Sequence, residues 1–372
     1  MANEIKIRLE IPNSEVRATF EKIVGSVDGL RLANGDGKSD LLIHEIGADP
    51  MRDFELVQER MRAGGTREVF LTSTRSEPEI LLHALRSGAK EFFVQPLKVD
   101  EVRATLERYV NRCARAAGGG GRDGHVIYLA SSKGGVGTTT LAVNLAADLG
   151  ARRVDRSVAV IDMNMLFGEV PLFLDVESAF SWGEVARNIA RLDATYLMSV
   201  LSRHASGVYV LPAPSQLDRL SAVTPSTVDR LLRVMREEFD FIVVDGGQSI
   251  DEISLKLMEL SDTVLVVSIL SLPCLINVRR LLETFQRLGH PRLEQVQVVV
   301  NRYSKQDGIT LKEAEEGVGR PITWTVPNDF SSTMSAINKG KLLRDIAPRA
   351  EITRTIQELA RSIAKNAAAV RA

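Results

Sequence analysis

The stretch Ser131-Ser132-Lys133-Gly134-Gly135-Val136-Gly137-Thr138-Thr139-Thr140 lies between an apolar run, residues 125–130, and a helix-forming run, residues 141–149. In a strand–loop–helix setting, closely spaced glycines expose backbone N–H groups. The helix N-terminus adds the positive end of its dipole, and together they make a cradle for a phosphate. Such a loop places its ligand at the carboxyl edge of an α/β sheet. The usual phosphate loop, G-x-x-x-x-G-K-[ST], carries lysine directly after its last glycine. Here that position holds Thr138, and an ammonium is present only upstream, at Lys133. The loop therefore predicts nucleotide binding and argues against ordinary hydrolysis.

Composition sets the frame around that loop. A chain of 372 residues with 44% hydrophobic content can bury the cores of two ordinary domains. A formal net charge of -1 gives no global attraction to nucleic acid or to an anionic membrane. Cys113 and Cys274 are the only cysteines, which suits a reducing compartment and provides no disulfide framework. The stretch Met1-Ala2-Asn3-Glu4-Ile5-Lys6 has no signal-peptide character, and no apolar run approaches membrane-spanning length, so a cytoplasmic location is expected. The run Ala116-Ala117-Gly118-Gly119-Gly120-Gly121-Arg122-Asp123-Gly124 reads as a flexible linker. The expected organisation is an N-terminal domain over residues 1–113, a linker over 114–124 and a larger domain over 125–372.

Both domains alternate strands with helices, which predicts two doubly wound parallel α/β sheets. N-terminal strands are expected at 5–9, 30–33, 40–45, 68–72 and 91–95, with helices at 14–24, 78–87 and 99–112. C-terminal strands are expected at 125–130, 157–162, 207–211, 241–245, 263–269, 295–301 and 322–326. Helical runs there include 227–237, 255–260 and 278–288. Val264-Leu265-Val266-Val267 and Val298-Val299-Val300 are the continuous apolar runs of strands buried on both faces. Asp245 ends the run Phe241-Ile242-Val243-Val244, so it sits at the carboxyl edge opposite the phosphate loop, where Mg²⁺ coordination would use it.

In the N-terminal domain, Asp40-Leu41-Leu42-Ile43-His44-Glu45-Ile46, Phe70-Leu71-Thr72 and Ser87-Gly88-Ala89 leading to Gln95-Pro96 resemble a response-regulator receiver, a flavodoxin-like fold. The phosphoacceptor aspartate position is Glu45, the lysine position is Gln95, and only Glu10 could stand for the acidic pair. The resemblance implies a pseudo-receiver used for protein contacts.

In the C-terminal domain, Lys133-Gly134-Gly135-Val136-Gly137 resembles the deviant Walker A loop of the ParA/MinD ATPases. Val160-Ile161-Asp162-Met163-Asn164 matches their second acidic strand and Asp240-Phe241-Ile242-Val243-Val244-Asp245 their Walker B. The resemblance implies ATP or ADP with Mg²⁺, a metal held by Thr139, Asp162 and Asp245, and catalysis by Lys133, Asp162 and Asn164. It implies a phosphate cradle of Lys133, Gly134, Gly135, Val136, Gly137, Thr138, Thr139 and Thr140, and base contacts from Asn301, Arg302, Pro327, Asn328 and Asp329. It also implies a sandwich homodimer in which Lys133 reaches the partner's phosphates.

A pseudo-receiver ahead of such an ATPase is similar to the CpaE/TadZ branch of Flp (Tad) pilus assembly proteins. So are Leu211-Pro212-Ala213-Pro214, Phe167-Gly168-Glu169-Val170 and Ala336-Ile337-Asn338-Lys339-Gly340. That implies a positioning factor for pilus or secretion machinery, at the cell pole or the inner face of the membrane.

Two departures bear on turnover: Thr138 supplies no charge to the β- and γ-phosphates, and Asn164 cannot act as an anionic base. Losing a preorganised cation costs roughly 2–4 kcal/mol of transition-state stabilisation, about a hundredfold or more in rate. The expectation is a nucleotide-gated dimer with slow or negligible hydrolysis. The alternative is a ParA-type DNA-partitioning or MinD-type positioning ATPase; the pairs Arg152-Arg153 and Arg279-Arg280 are diluted by the acidic balance, so nucleic acid is not the expected partner. The apolar positions Ile352, Ile356, Leu359, Ile363 and Val370 share one face of a terminal helix, which either docks on its own domain or binds membrane.

Overall fold

The two alternating patterns build two parallel sheets. In this computed structural model the described residues are 4–33, 38–75, 77, 80, 83–84, 87–117, 124–151, 156–164, 168–214 and 223–371. The chain divides into residues 1–121 and 122–372.

In the N-terminal unit, β1 (Ile5–Glu10), β2 (Leu30–Leu32), β3 (Ser39–Glu45), β4 (Thr66–Ser73) and β5 (Glu91–Val94) pair in the order β2-β1-β3-β4-β5, every pair parallel. This is the strand order of flavodoxin-like doubly wound sheets. The helix Ser14–Val24 starts where Asn13 accepts from the backbone N–H groups of Glu15 and Val16. The helix Val99–Ala117 runs on past Cys113 into the stretch expected as linker, because Ala114, Arg115, Ala116 and Ala117 are strong helix formers and glycine begins only at 118. The glycine run itself, and most of the helix expected at 78–87, lie outside the described residues.

Among the described residues of the C-terminal unit, eight strands follow: β6 (His125–Ser131), β7 (Val158–Asp162), β8 (Ser202–Arg203), β9 (Tyr209–Leu211), β10 (Phe241–Asp245), β11 (Thr263–Ser268), β12 (Val296–Tyr303) and β13 (Ile322–Pro327). Their order is β13-β12-β11-β6-β10-β7-β9-β8. Among the described residues only the β8–β9 pair is antiparallel. Strand β8 escapes sequence reading because two residues carry no periodicity.

Alternation along β6 sends Tyr128 into a core with Trp182, Met235 and Phe285, and Ile127 and Leu129 into a second core with Leu145, Leu149 and Leu359. Parallel pairing of β6, β7 and β10 brings their carboxyl ends to one edge, with Asp245 registered against Asp162 on one side and Leu129 on the other. Just beyond, Gly246 is required for space, since a Cβ there would lie 2.1 Å from the Tyr128 hydroxyl oxygen.

The helix Glu351–Arg371 settles the choice left by its amphipathic pattern. Ile352, Ile356, Leu359 and Ile363 are all buried in the second core, where Ala360, Ala364 and Ala367 bury with them. The described apolar face is covered by its own domain, the docked arrangement that its small alanines and lack of aromatic anchors favour; the Val370 side chain is outside the described residues. No described helix is long and apolar enough to cross a membrane.

Leu359 has 0% exposure, so Leu359→Ala should destabilise the C-terminal unit by about 2–5 kcal/mol in urea denaturation, the cost of lost transfer energy plus a cavity. A change below about 0.5 kcal/mol would mean that the helix does not pack as described.

Candidate functional site

The loop after β6 is shaped by glycine conformation and pinned from β12. Gly135 and Gly137 have φ of +81° and +94°, where an L side chain is strained. A Cβ on Gly137 would also lie 2.3 Å from Asn301 Nδ2, and that nitrogen donates to the Val136 carbonyl at 2.8 Å. The helix Thr138–Gly150 then begins with no side-chain cap, so its first-turn N–H groups remain for a ligand.

Two threonines of that first turn do different things. Thr139 Oγ1 donates to Asp245 Oδ2 at 2.6 Å. Asp245 is 1% exposed, and its Oδ1 is buried with no partner at hydrogen-bonding geometry. Thr138, in the lysine position, is buried and its hydroxyl pairs with Ser131 Oγ at the end of β6. The substituted residue is thus tied back to the sheet.

A cavity of about 220 Å³ lies over the loop, lined by Gly134, Gly135, Gly137, Thr138, Thr139, Thr140, Asn164, Asp245 and Arg302 from the expected set. An adjoining cleft of about 70 Å³ is walled by Asn301, Arg302, Pro327, Asn328 and Asp329, the residues expected around a base. Gly137, Thr140, Arg302 and Ile337 line both. Arg302 holds a φ of +53°, a strained backbone at the junction.

Three expected residues are placed elsewhere. Lys133 lines an adjoining groove of about 350 Å³ with Asn277 and Arg280, which shares Ser131 and Gln248 with the cavity. The Val136 side chain is buried in the core. Asp162 is 0% exposed, and both its oxygens are taken: Oδ1 accepts from Asn164 N at 3.0 Å and Oδ2 from Val170 N at 3.0 Å. It anchors the loop that follows β7, where a Cβ on Gly168 would lie 2.9 Å from the same Oδ2. Glu169, Phe173, Gly247, Gln248 and Ile337 line the cavity without having been expected there. The only sequence signal for Glu169 was its place in Phe167-Gly168-Glu169-Val170; Phe167 itself is outside the described residues.

Burial and the neighbouring Asp245 charge push Asp162 up to about 7. Burial pushes Asp245 up to about 6, opposed by hydrogen bonding from the Thr139 hydroxyl and the Gly247 backbone. A cation on Asp245 Oδ1 would reverse that shift. The donor set fits a hard divalent cation: one hydroxyl, one carboxylate with a spare oxygen, and space for phosphate oxygens and water.

The N-terminal unit has its own polar cluster. Glu45 Oε1 accepts from Gln95 Nε2 at 2.9 Å and Oε2 from Asn13 N at 2.9 Å. Gln95 Nε2 also reaches Thr72 Oγ1 at 3.3 Å. Glu10 lies apart from these, bound to Arg60 at 2.9 Å and to His44 at 3.3 Å. With both Glu45 oxygens engaged, no group in this cluster is arranged as a free phosphoacceptor beside a pair of acids.

Comparison with known proteins agrees with the C-terminal geometry. The AAA_31 family model, described as an AAA domain, matches residues 124–298. The septum site-determining protein MinD of Thermotoga maritima is 23% identical over 245 residues, covering 64% of this chain and 88% of that protein. The ParA family ATPase structure from Chlorobium tepidum superposes with a TM-score of 0.60 at 25% identity, covering 63% of this chain and 98% of that one. The Pyrococcus horikoshii MinD structure, complexed with Mg-ADP, superposes with a TM-score of 0.56 at 20% identity, covering 65% and 97%.

The raised carboxylates give a signed pH dependence. Their folded pKa values lie above the ordinary range near 4. Their contribution to stability is therefore full below about pH 4 and lost as pH rises through about 6 to 7. Bound Mg²⁺ needs ionised Asp245, so the rise in melting temperature given by Mg-ADP should be larger at about pH 8 than at about pH 5.5. Asp245→Asn should remove that difference in thermal-shift measurements; an increment independent of pH in the native protein would contradict the assignment.

Proposed function

We propose that this chain, whose C-terminal unit is similar to P-loop ATPases of the ParA/MinD type, is a nucleotide-dependent positioning and assembly factor. It binds ATP or ADP with Mg²⁺ and uses nucleotide as a switch, with slow or negligible hydrolysis. The observation that carries the reading is Asp245, buried beside Thr139 with one oxygen unpartnered, facing the uncapped N-terminus of the helix Thr138–Gly150. Thr139 and Asp245 would hold Mg²⁺, which neutralises phosphate charge when bound. The backbone of residues 134–140 would cradle the phosphates, and the cleft of Asn301, Arg302, Pro327, Asn328 and Asp329 would take the base.

Weak turnover is supported by what Thr138 and Asn164 cannot do. The Thr138 hydroxyl is engaged with Ser131, and an amide at 164 is no general base. The groove holding Lys133 also holds Ile250, which is 53% exposed, and the helix leading from it presents Leu272 and Ile276 at 64% and 41%. A lysine amid exposed apolar side chains suits a homodimer face on which Lys133 is offered to the partner's nucleotide.

The N-terminal unit serves protein contacts in this reading, since its Glu45 is bound rather than free. Pilus or secretion machinery of the Flp (Tad) type, at the cytoplasmic side of the membrane or the cell pole, is the setting supported by the CpaE/TadZ-like stretches. A DNA-partitioning role has less support: Arg279 is paired with Glu283 at 2.9 Å, Arg280 lines the Lys133 groove, and residues 152–155 lie outside the described residues.

Steady-state assays should find little ATP hydrolysis, and Thr138→Lys combined with Asn164→Asp should raise it by about a hundredfold. A robust native rate abolished by Lys133→Ala would overturn the switch reading. ATP-dependent DNA retention at physiological salt would favour partitioning instead.

A further inference from the structure

The cavity over the loop has an unusual charge balance for a polyphosphate site. Its ionisable lining is Glu169, Asp245 and Arg302; two carboxylates against one guanidinium leave one net negative charge when both are ionised. No lysine among the described residues lines it. A tetra-anionic ligand would meet repulsion here unless a cation came with it.

Glu169 is the less obvious of the two acids. It precedes the short helix Val170–Leu174 and makes no side-chain cap bond there. Its side chain is exposed and has no hydrogen bond or ion pair among the described residues. Its charge acts on both Asp162 and Asp245. The backbone beside it is fixed, because Val170 N is held by Asp162 Oδ2 at 3.0 Å. The carboxylate absent at Asn164 therefore returns on the same loop at 169, facing the cavity that contains the unpartnered, buried Asp245 Oδ1. Mg²⁺ bound with nucleotide is commonly held by one or two carboxylates plus phosphate oxygens.

We propose that Glu169 is the second carboxylate of the cation site, acting with Thr139 and Asp245, and that it makes nucleotide binding depend on the divalent cation. The inference rests on the nucleotide-site reading above. Asp162, by contrast, serves as the anchor that presents Glu169.

The test uses the full chain with ADP and Mn²⁺, reading bound metal by electron paramagnetic resonance and bound ADP by calorimetry with Mn²⁺ and with EDTA. Glu169→Gln should weaken Mn²⁺ in the ternary complex by about 10- to 100-fold, while ADP binding in EDTA stays equal or tightens. Glu177→Gln, the same charge change at an exposed residue outside the cavity, should alter neither. The proposal fails if Glu169→Gln leaves Mn²⁺ affinity within about twofold of native. It fails also if ADP weakens equally with and without metal, or if Glu177→Gln reproduces the effect. If the native chain takes up no ADP under either condition, the nucleotide-site reading itself falls and takes this inference with it.

Discussion

Two carboxylates buried side by side govern the C-terminal unit. Asp162 and Asp245 end neighbouring strands β7 and β10 in register, at 0% and 1% exposure. Desolvating a carboxylate costs several kcal/mol unless hydrogen bonds or charge compensate. The fold compensates them unequally. Asp162 receives two backbone N–H groups and so fixes the path of the following loop. Asp245 receives the Thr139 hydroxyl on one oxygen, with only a weakly aligned Gly247 backbone N–H beside it, and its Oδ1 has no partner at hydrogen-bonding geometry. The first arrangement is complete in itself; the second leaves Asp245 less fully compensated. The glycine loop, pinned by Asn301 from β12, places the helix N-terminus over that group.

In both units the polar side chains singled out from the sequence are engaged by neighbours. In the N-terminal unit, Gln95 and Asn13 occupy both oxygens of Glu45. In the C-terminal unit, Ser131 occupies Thr138, and Lys133 lines the adjoining groove. Thr138, Glu45 and Gln95, read from the sequence as losses, are each held by a specific hydrogen bond. In the proposed reading, the site that remains would hold a nucleotide more than consume it.

What the sequence made legible was whatever depends on local pattern. The runs at β10, β11 and β12 read as buried strands because both of their faces are apolar. Asp245 was placed by the strand it ends, and the helix Ser14–Val24 by its cap and periodicity. Family resemblance placed Asn301, Arg302, Pro327, Asn328 and Asp329, which do wall one cleft. What escaped depends on tertiary proximity. Nothing local shows that Asp162 spends both oxygens on the next loop, that Thr138 turns to Ser131, or that Glu169 lines one cavity with Asp245. The terminal helix was ambiguous for the same reason: amphipathicity says that a face is covered, and only packing says by what.

The most direct test of the central claim is the nucleotide content of the purified chain, read beside its mass in solution with ATP and Mg²⁺, with ADP and Mg²⁺, and with neither. The account predicts one nucleotide per chain in both Mg²⁺-loaded states and a dimer with ATP. A monomer free of nucleotide in every condition would contradict it.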